Sequence, residues 1–542
     1  NSSIDKFHLF KLLDDSLNFS NENALYEEAV SKMLVEEELY VTKENRYALS
    51  MLYNAEKNIV DFFERRENEK NKRIIHMFDD YLEKKEKTLG FNLSKEQKRA
   101  VELINEGEKT LFLIGYAGTG KSTSSRAILE LLEEIVSYDD IMTVALSGIA
   151  SQRIADTTGY NSSTIQSMLV KHKEKDFFPY KVILLDEASM VNSVTFYQII
   201  SKISDDTIFI IVGDDGQLPA IGAGNILADA IKYHLAPVCK LTKIYRQNEN
   251  QAIAVIANDI RKGEIPKYEE EYEDFKFYNI SIPSYYAQKN SIPPSEFANL
   301  RVENSAKILN NILNISSSYI ETYYELIKKK EIGNALILFQ LITPMKSGIL
   351  GVENINMQLQ KLFNHTKGKA FKTKLYEYKI TDKVIHVKNE NMKAQTMAMY
   401  KSGSTDYLEK RVFNGQLGLI IKMDFEEEKC IVLYPNDDMV VFYDFDTISS
   451  LLSLAYCLTI HKTQGMEYDS ALIPMSFSHY IMHNTKLLYT AITRPKKMCF
   501  IVGEEEAFKS ACKKLEITIR ESVINDLMSK KDVVRNEILP DL

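Results

Sequence analysis

An α/β fold built on two separate parallel-sheet domains is what this sequence predicts, and three observations carry the prediction. Short apolar runs recur in the first half, separated by helical segments: Leu111–Ile114, Thr143–Leu146, Val182–Leu185 and Ile208–Val212. Runs of this kind, ending in polar residues or glycine, read as strands of a parallel sheet covered on both faces. A second set at Ala335–Ile342, Leu451–Ile460, Ala471–Pro474 and Met498–Val502 implies a second such sheet. Finally, 542 residues exceed what one hydrophobic core serves, so the chain divides into about three or four domains.

Taken in order, residues 1–90 read as a helical N-terminal module, with a charged segment from Arg65 to Lys87 expected as one solvated helix. Residues 91–235 form the first parallel-sheet domain, and 236–375 begin the second. Residues 376–450 read differently. Gly418–Met423, Cys430–Tyr434 and Met439–Tyr443 are apolar runs divided by short polar turns, the pattern of an antiparallel meander or small barrel inserted into the second domain. Residues 451–542 complete that domain and add a helical tail.

The chemistry begins at the first predicted strand. It feeds Gly115-Tyr-Ala-Gly118-Thr119-Gly120-Lys121-Ser122-Thr123, a complete phosphate-binding loop, and a helical pattern from Ala127 to Ile135 follows. The glycines let backbone N–H groups turn inward around a triphosphate, Lys121 reaches the β- and γ-phosphates, and Ser122 offers its hydroxyl to Mg²⁺. A nucleoside triphosphate is therefore the expected ligand. The strand Val182–Leu185 ends in Asp186-Glu187, where Asp186 can hold Mg²⁺ and Glu187 can polarise an attacking water. The next strand runs into Gly213-Asp-Asp-Gly-Gln217, an amide placed to touch both the γ-phosphate and that water. Arg246 and Arg494 are the candidate cations for charge developing on the transferred phosphoryl group.

Together these motifs resemble the superfamily 1 nucleic-acid helicases, in the 5′→3′ branch typified by RecD and Dda, over roughly residues 15–525. Phe91 to Gln97 is similar to the family's adenine-reading motif, which casts Gln97 as a nucleotide contact. Ala145–Ser151, with Ser147, and Ser163–Gln166, with Thr164, resemble two strand-contacting motifs; Leu-Ser-Gly stands where the family usually has Pro-Thr-Gly, and Gln166 where it has His. Gly213–Pro219 and Tyr245-Arg246-Gln247 are similar to the next two. Ala455–Glu467 resembles a further motif, whose likeness puts Thr459, His461 and Lys462 on DNA and Gly465 and Glu467 near the nucleotide. Leu488–Arg494 is similar to the motif that ends in an arginine finger. Segments Ile342–Gly351 with Asn356 and Gln360, Val412–Gly418 with Asn414, and Leu52–Glu56 resemble RecD-type sequences.

The resemblance implies two RecA-like domains, a small SH3-like barrel as the insertion, and a helical N-terminal region. It implies a motor that uses ATP and Mg²⁺, with the nucleotide between two lobes, to translocate 5′→3′ on single-stranded DNA and unwind forked DNA in replication, recombination or repair. A short hairpin insertion near 168–180 takes the place of the strand-separating wedge: Phe177 and Phe178 either stack on the last base pair or form a surface loop with one buried aromatic. Two other readings remain at this level: an RNA-directed helicase of the same superfamily, and an ATP-controlled DNA-binding subunit of a larger replication or recombination complex.

The composition agrees with a globular protein, at 45% hydrophobic and 26% charged, and no apolar run is long enough to span a bilayer. Cys239, Cys430, Cys457, Cys499 and Cys512 lack paired spacing, which argues against disulfides and zinc and for a cytoplasmic, nucleoid or viral replication setting. A net charge of −9 suits a polyanionic partner poorly, but a groove needs only local positive charge. Glu269–Asp274 and Glu426–Glu428 are expected to be solvated acidic loops.

Overall fold

The computed structural model describes residues 23–42, 46–67, 69–243, 252–268, 272–280, 294–515 and 522–528, together with Ser3, Asp5 and Leu9. The chain forms two compact units: residues 1–146, 150–245 and 518–542 make one, residues 147–149 and 246–517 the other.

The first unit opens with the helix Asn23–Val35 and a hairpin, β1 (Leu39–Val41) against β2 (Tyr47–Leu49). The hairpin departs from the all-helical expectation for residues 1–90; three-residue strands are too short to display an alternating pattern. The helix Ser50–Arg66 follows and buries Ile59, Val60, Phe62 and Phe63 against Phe112, Phe196 and Phe209 of the main sheet's core. The charged stretch is not one solvated helix either. Helix ends at Arg66, resumes at Phe78–Leu89, and Arg66 itself is buried. Its guanidinium donates to Thr110 Oγ1 at 3.0 Å, Lys109 O at 3.1 Å and Ser204 O at 3.2 Å, which offsets the cost of taking the charge out of water.

The main sheet consists of β3 (Thr110–Gly115), β4 (Ile141–Ala145), β5 (Ser162–Thr164), β6 (Val182–Leu185), β7 (Ile208–Gly213) and β8 (Val238–Leu241). All run parallel in the order β5-β4-β6-β7-β3-β8. Every residue of β3, β6 and β7 is buried, as a sheet with helices on both faces requires. Near the C-terminus, Ile524 and Met528 join this same core. The Ile524 N–H donates to Glu56, a buried carboxylate that also accepts from Ser193 Oγ at 2.5 Å.

The second unit contains a parallel sheet and an antiparallel one. Its strands are β9 (Phe275–Asn279), β10 (Phe339–Thr343), the short pair β11 (Phe371–Lys372) and β12 (Glu377–Tyr378), β13 (Lys383–His386), β14 (Glu390–Thr396), β15 (Leu408–Val412), β16 (Leu417–Asp424), β17 (Lys429–Tyr434), β18 (Met439–Asp444), β19 (Leu452–Leu454), β20 (Cys457–Thr459), β21 (Tyr468–Met475) and β22 (Pro495–Gly503). The parallel sheet has the order β20-β10-β21-β22-β9. The antiparallel sheet, β15-β14-β18-β17-β16-β13-β19, is inserted between β10 and β20, where an antiparallel meander or small barrel was expected.

Three expectations need correction here. Ala335–Ile342 is half helix: Ile332–Leu338 is helical and β10 begins at Phe339, a distinction a short apolar run cannot make by itself. Leu451–Ile460 is two strands in two different sheets, β19 pairing antiparallel with β13 and β20 parallel with β10. Asp274 is no solvated loop residue. It is buried, and its carboxylate accepts the N–H groups of Ala252 at 2.6 Å and Ile253 at 3.2 Å, closing the start of the helix Ile253–Arg261. All five cysteines are buried and free.

Candidate functional site

The central strand order of the first unit brings three strand ends side by side: β6, β7 and β3. In a parallel sheet their carboxyl ends, and the loops beyond them, define where a ligand sits. At the end of β3 the chain turns through Gly118 and Gly120, both left-handed at φ 80° and 84°, before the helix Lys121–Leu132 begins. A side chain at either position would strain the turn. Gly115 is needed for a second reason, since a Cβ there would meet Thr119 Oγ1 at 2.5 Å. The Thr119 hydroxyl donates to Tyr116 O at 2.8 Å and holds the loop closed.

Gly120 gives the helix Lys121–Leu132 no side-chain cap, so its first-turn N–H groups present an anion site backed by the helix dipole. The Lys121 ammonium rests on the loop, donating to Gly115 O at 2.6 Å and Tyr116 O at 3.2 Å. Ser122 and Thr123 follow, half-buried in the first turn.

Beyond β6, the carboxyl of Asp186 is pushed up to about 6, first by burial and then by the neighbouring Glu187, while Arg153 and Lys121 act in the opposite sense. The Glu187 N–H donates to Asp186 Oδ1 at 2.9 Å. Glu187 adopts φ 52°, a left-handed conformation that costs a residue with a Cβ about 1 kcal/mol or more. Beyond β7, Asp214 is fully buried and accepts from Gly216 N at 3.0 Å and Gln217 Nε2 at 3.4 Å. That contact orients the Gln217 amide. Its Oε1 is buried without a hydrogen-bond partner in the protein, which leaves it able to accept from a ligand.

These observations test the nucleotide reading directly. An uncapped helix start, a lysine on loop carbonyls, a carboxyl that a cation would restore to its charged form, and an orphaned amide oxygen fit a Mg²⁺-bound nucleoside triphosphate. Sequence reading missed Arg153 and Asp214. Arg153 lies in the helix Gly148–Thr158, just after the stretch Ala145–Ser151, and a search one turn further along would have found it.

Gln97 has a structural duty as well. Its Oε1 accepts the Ser94 N–H at 2.9 Å and its own N–H donates to Ser94 Oγ at 3.1 Å, a reciprocal cap on the helix Lys95–Asn105. Ser147 lies half-buried in the turn after β4. Thr164 ends β5, and its hydroxyl is committed to capping the helix Ile165–Lys171, accepting from Ser167 N at 3.1 Å. The expected hairpin at 168–180 is absent. The segment is the end of that helix followed by turns without strands; Phe178 is buried and edge-on to His172, and Phe177 alone is exposed, at 54%.

In the second unit, Thr459 ends β20 and caps the short turn Ile460–Thr463, accepting from Lys462 N at 3.3 Å. His461 is half-buried, and burial holds its imidazole below the ordinary value. Lys462 is shifted down by desolvation and then by Lys346, so two cations face one neighbourhood beside Thr459. Gly465 is left-handed at φ 76°, and Glu467 pairs with Lys496 at 2.6 Å. Arg494 is buried; it donates to Thr490 O at 2.9 Å, Thr493 Oγ1 at 3.0 Å and Met466 O at 3.2 Å. Asn414 is exposed in the turn between β15 and β16. Arg246 lies outside the described residues.

No helix among the described residues is long and apolar enough to cross a membrane. Residues 92–279 match the family model for an AAA domain, and residues 454–502 match the UvrD-like helicase C-terminal domain. The chain is 28% identical over 440 residues to the ATP-dependent RecD2 DNA helicase of Deinococcus radiodurans, a match covering 80% of this chain and 52% of that protein. It thus spans about half the length of that relative. It is 25% identical over 537 residues to the RecBCD enzyme subunit RecD of Buchnera aphidicola from Acyrthosiphon pisum, covering 86% of this chain and 81% of that one. A crystal structure of the Pif1 helicase from Bacteroides with ADP-AlF3 and single-stranded DNA aligns over 82% of this chain and 98% of that one, at 17% identity and a TM-score of 0.44. By the matched models and curated relatives, the chain is similar to RecD helicase proteins over most of its length.

Proposed function

We propose that the protein is an ATP-dependent DNA helicase that moves 5′→3′ along single-stranded DNA and unwinds the duplex ahead. The observation that carries the nucleotide half of this reading is the Gln217 Oε1, buried and without a partner at the end of the strand next to the phosphate loop. The polymer half rests on the relatives, whose names are those of an ATP-dependent DNA helicase and a RecBCD enzyme subunit.

In this account the loop N–H groups and Lys121 hold the β- and γ-phosphates. Ser122 and Asp186 would hold Mg²⁺, which neutralises phosphate charge when bound. Glu187 accepts the proton of the attacking water, with Gln217 orienting that water through its free oxygen. Gln97 completes nucleotide recognition, Gly465 and Glu467 are assigned to the nucleotide by the family likeness, and Arg246 and Arg494 serve turnover rather than binding. Thr459, His461 and Lys462, joined by Lys346, grip the DNA backbone; Ser147, Thr164, Phe177 and Asn414 are the further strand contacts. The antiparallel insertion is read as an SH3-like barrel. Single-stranded and forked DNA are the partners, with replication or recombination proteins beside them.

The test is ATP turnover with and without single-stranded DNA. Stimulation by DNA is expected in the unaltered chain, and a loss of about 10²-fold or more in Lys121→Ala. Equal turnover with and without DNA would remove the reading.

A further inference from the structure

We infer that one face of the helix Val352–Phe363 is a positioning joint: Asn356, Gln360 and Asn364 clamp both chain crossings of the antiparallel insertion to the strand that carries Thr459, so that insertion and strand move on DNA as one body. The functional half of this inference rests on the helicase reading; the mechanical half does not.

The three amides stand four residues apart, on one face of the helix and its C-cap, and all three are buried. Burying an amide is costly unless its hydrogen bonds are made, and here they are made to both crossings. At the exit from the insertion, Asn356 grips the backbone of Cys457 twice: its Nδ2 donates to Cys457 O at 3.0 Å and its Oδ1 accepts Cys457 N–H at 2.8 Å. Cys457 opens β20, the edge strand of the parallel sheet. The neighbouring β10 bonds to Tyr456 O through Leu341 N at 3.2 Å, and the Asn356 amide bonds to the next residue of the edge strand in place of a missing neighbour.

At the entry to the insertion, Gln360 Nε2 donates to Glu377 O and Asp382 Oδ2, each at 2.6 Å, and Asn364 Nδ2 to Ile380 O at 2.9 Å and Asp382 Oδ1 at 2.7 Å. Asp382, fully buried, also accepts from Lys379 N at 2.7 Å and from the Tyr456 hydroxyl at 3.1 Å. Tyr456 adjoins Cys457, so entry and exit close on each other. Lys383 anchors the same point to β10, donating to Gln340 Oε1 at 2.9 Å and Phe339 O at 3.2 Å. Gln340 Nε2 in turn donates to Tyr456 O at 3.1 Å and Ala455 O at 3.2 Å.

An insertion joined by two chain crossings hinges about them by default. Here the hinge is filled by one buried polar network, and breaking any member strands the others without water. Thr459, His461 and Lys462 lie just beyond Cys457, and Asn414 lies inside the insertion. The joint fixes the distance between these two sets.

The test uses the full chain and two variants, Asn356→Ala and Asp382→Asn, on 5′-tailed duplexes. DNA-stimulated kcat and DNA-free turnover are expected within about twofold of the unaltered chain, while base pairs opened per ATP fall about fivefold or more. Unchanged coupling in folded variants overturns the joint, and so does a loss of kcat in the same proportion as unwinding. Should either variant fail to fold, hydrogen exchange of the unaltered chain decides. Amides of β13 and β20 exchanging together, at the same opening free energy as β10, support the joint; β13 opening separately and more easily overturns it. A chain with no DNA-stimulated turnover at all sinks the helicase reading, and the exchange result then stands alone for the mechanical claim.

Discussion

The strand ends of the two parallel sheets differ in how completely their polar groups are satisfied. In the first unit, beyond β3, β6 and β7, Gln217 Oε1 has no partner, Glu187 sits in a left-handed conformation, and burial raises the Asp186 carboxyl. In the second unit Arg494 makes three hydrogen bonds, Thr459 caps its own turn, Glu467 pairs with Lys496 and Asn356 completes Cys457, while beyond β21 the buried His479 and His483 keep ring nitrogens without partners. Unmet groups and strain belong where a substrate is to be received. A satisfied network belongs where force must be carried without deformation. One sheet displays a chemical site, the other a framework.

Arg494 is the sharpest way to break that contrast, because it is assigned a catalytic duty yet looks like framework. Arg494→Ala is expected to lower turnover about 10³-fold while nucleotide binding survives. If only the melting midpoint falls, Arg494 is framework and the contrast holds without exception. Gln217→Ala is the next largest effect: kcat about 10²-fold lower, with nucleotide affinity changed by less than about threefold. A collapse of affinity would mean that the orphaned oxygen serves ground-state binding instead.

The smallest effect concerns Lys383, whose ammonium burial pushes down to about 7 from 10.5. Between those values the unfolded chain holds the extra proton and the native chain does not, so native stability rises with pH from about 7 towards 10.5. Below pH 7 the burial cost is present in full. The calorimetric midpoint of the unaltered chain should therefore gain on that of Lys383→Met by about 2 °C or more as pH rises from 7 to 10. Parallel pH profiles for the two proteins would show that the framework holds Lys383 in its charged form throughout.

Most of the candidate site was legible in the sequence, because the residues assigned to it lie in short contiguous motifs. Val182–Leu185 is the strand with the bounds the apolar run predicts, and the loop Gly115–Thr123 stands between strand and helix as its spacing requires. The framework was far less legible. Asp382 and Lys383 are adjacent opposite charges, which in sequence suggest a solvated turn, and only the fold buries them among partners distant along the chain. Leu451–Ile460 reads as one strand, although the chain leaves one sheet and enters another within it. Phe178 and Arg66 carry the same lesson: burial is decided by tertiary neighbours that local pattern does not contain.

The central claim is directional movement on DNA driven by this nucleotide site. Its most direct test is unwinding of matched duplexes carrying a 5′ or a 3′ single-stranded tail, with ATP and Mg²⁺. Strand separation of the 5′-tailed substrate is expected, and none in Lys121→Ala. Preference for the 3′-tailed substrate, or separation that persists in Lys121→Ala, would contradict it.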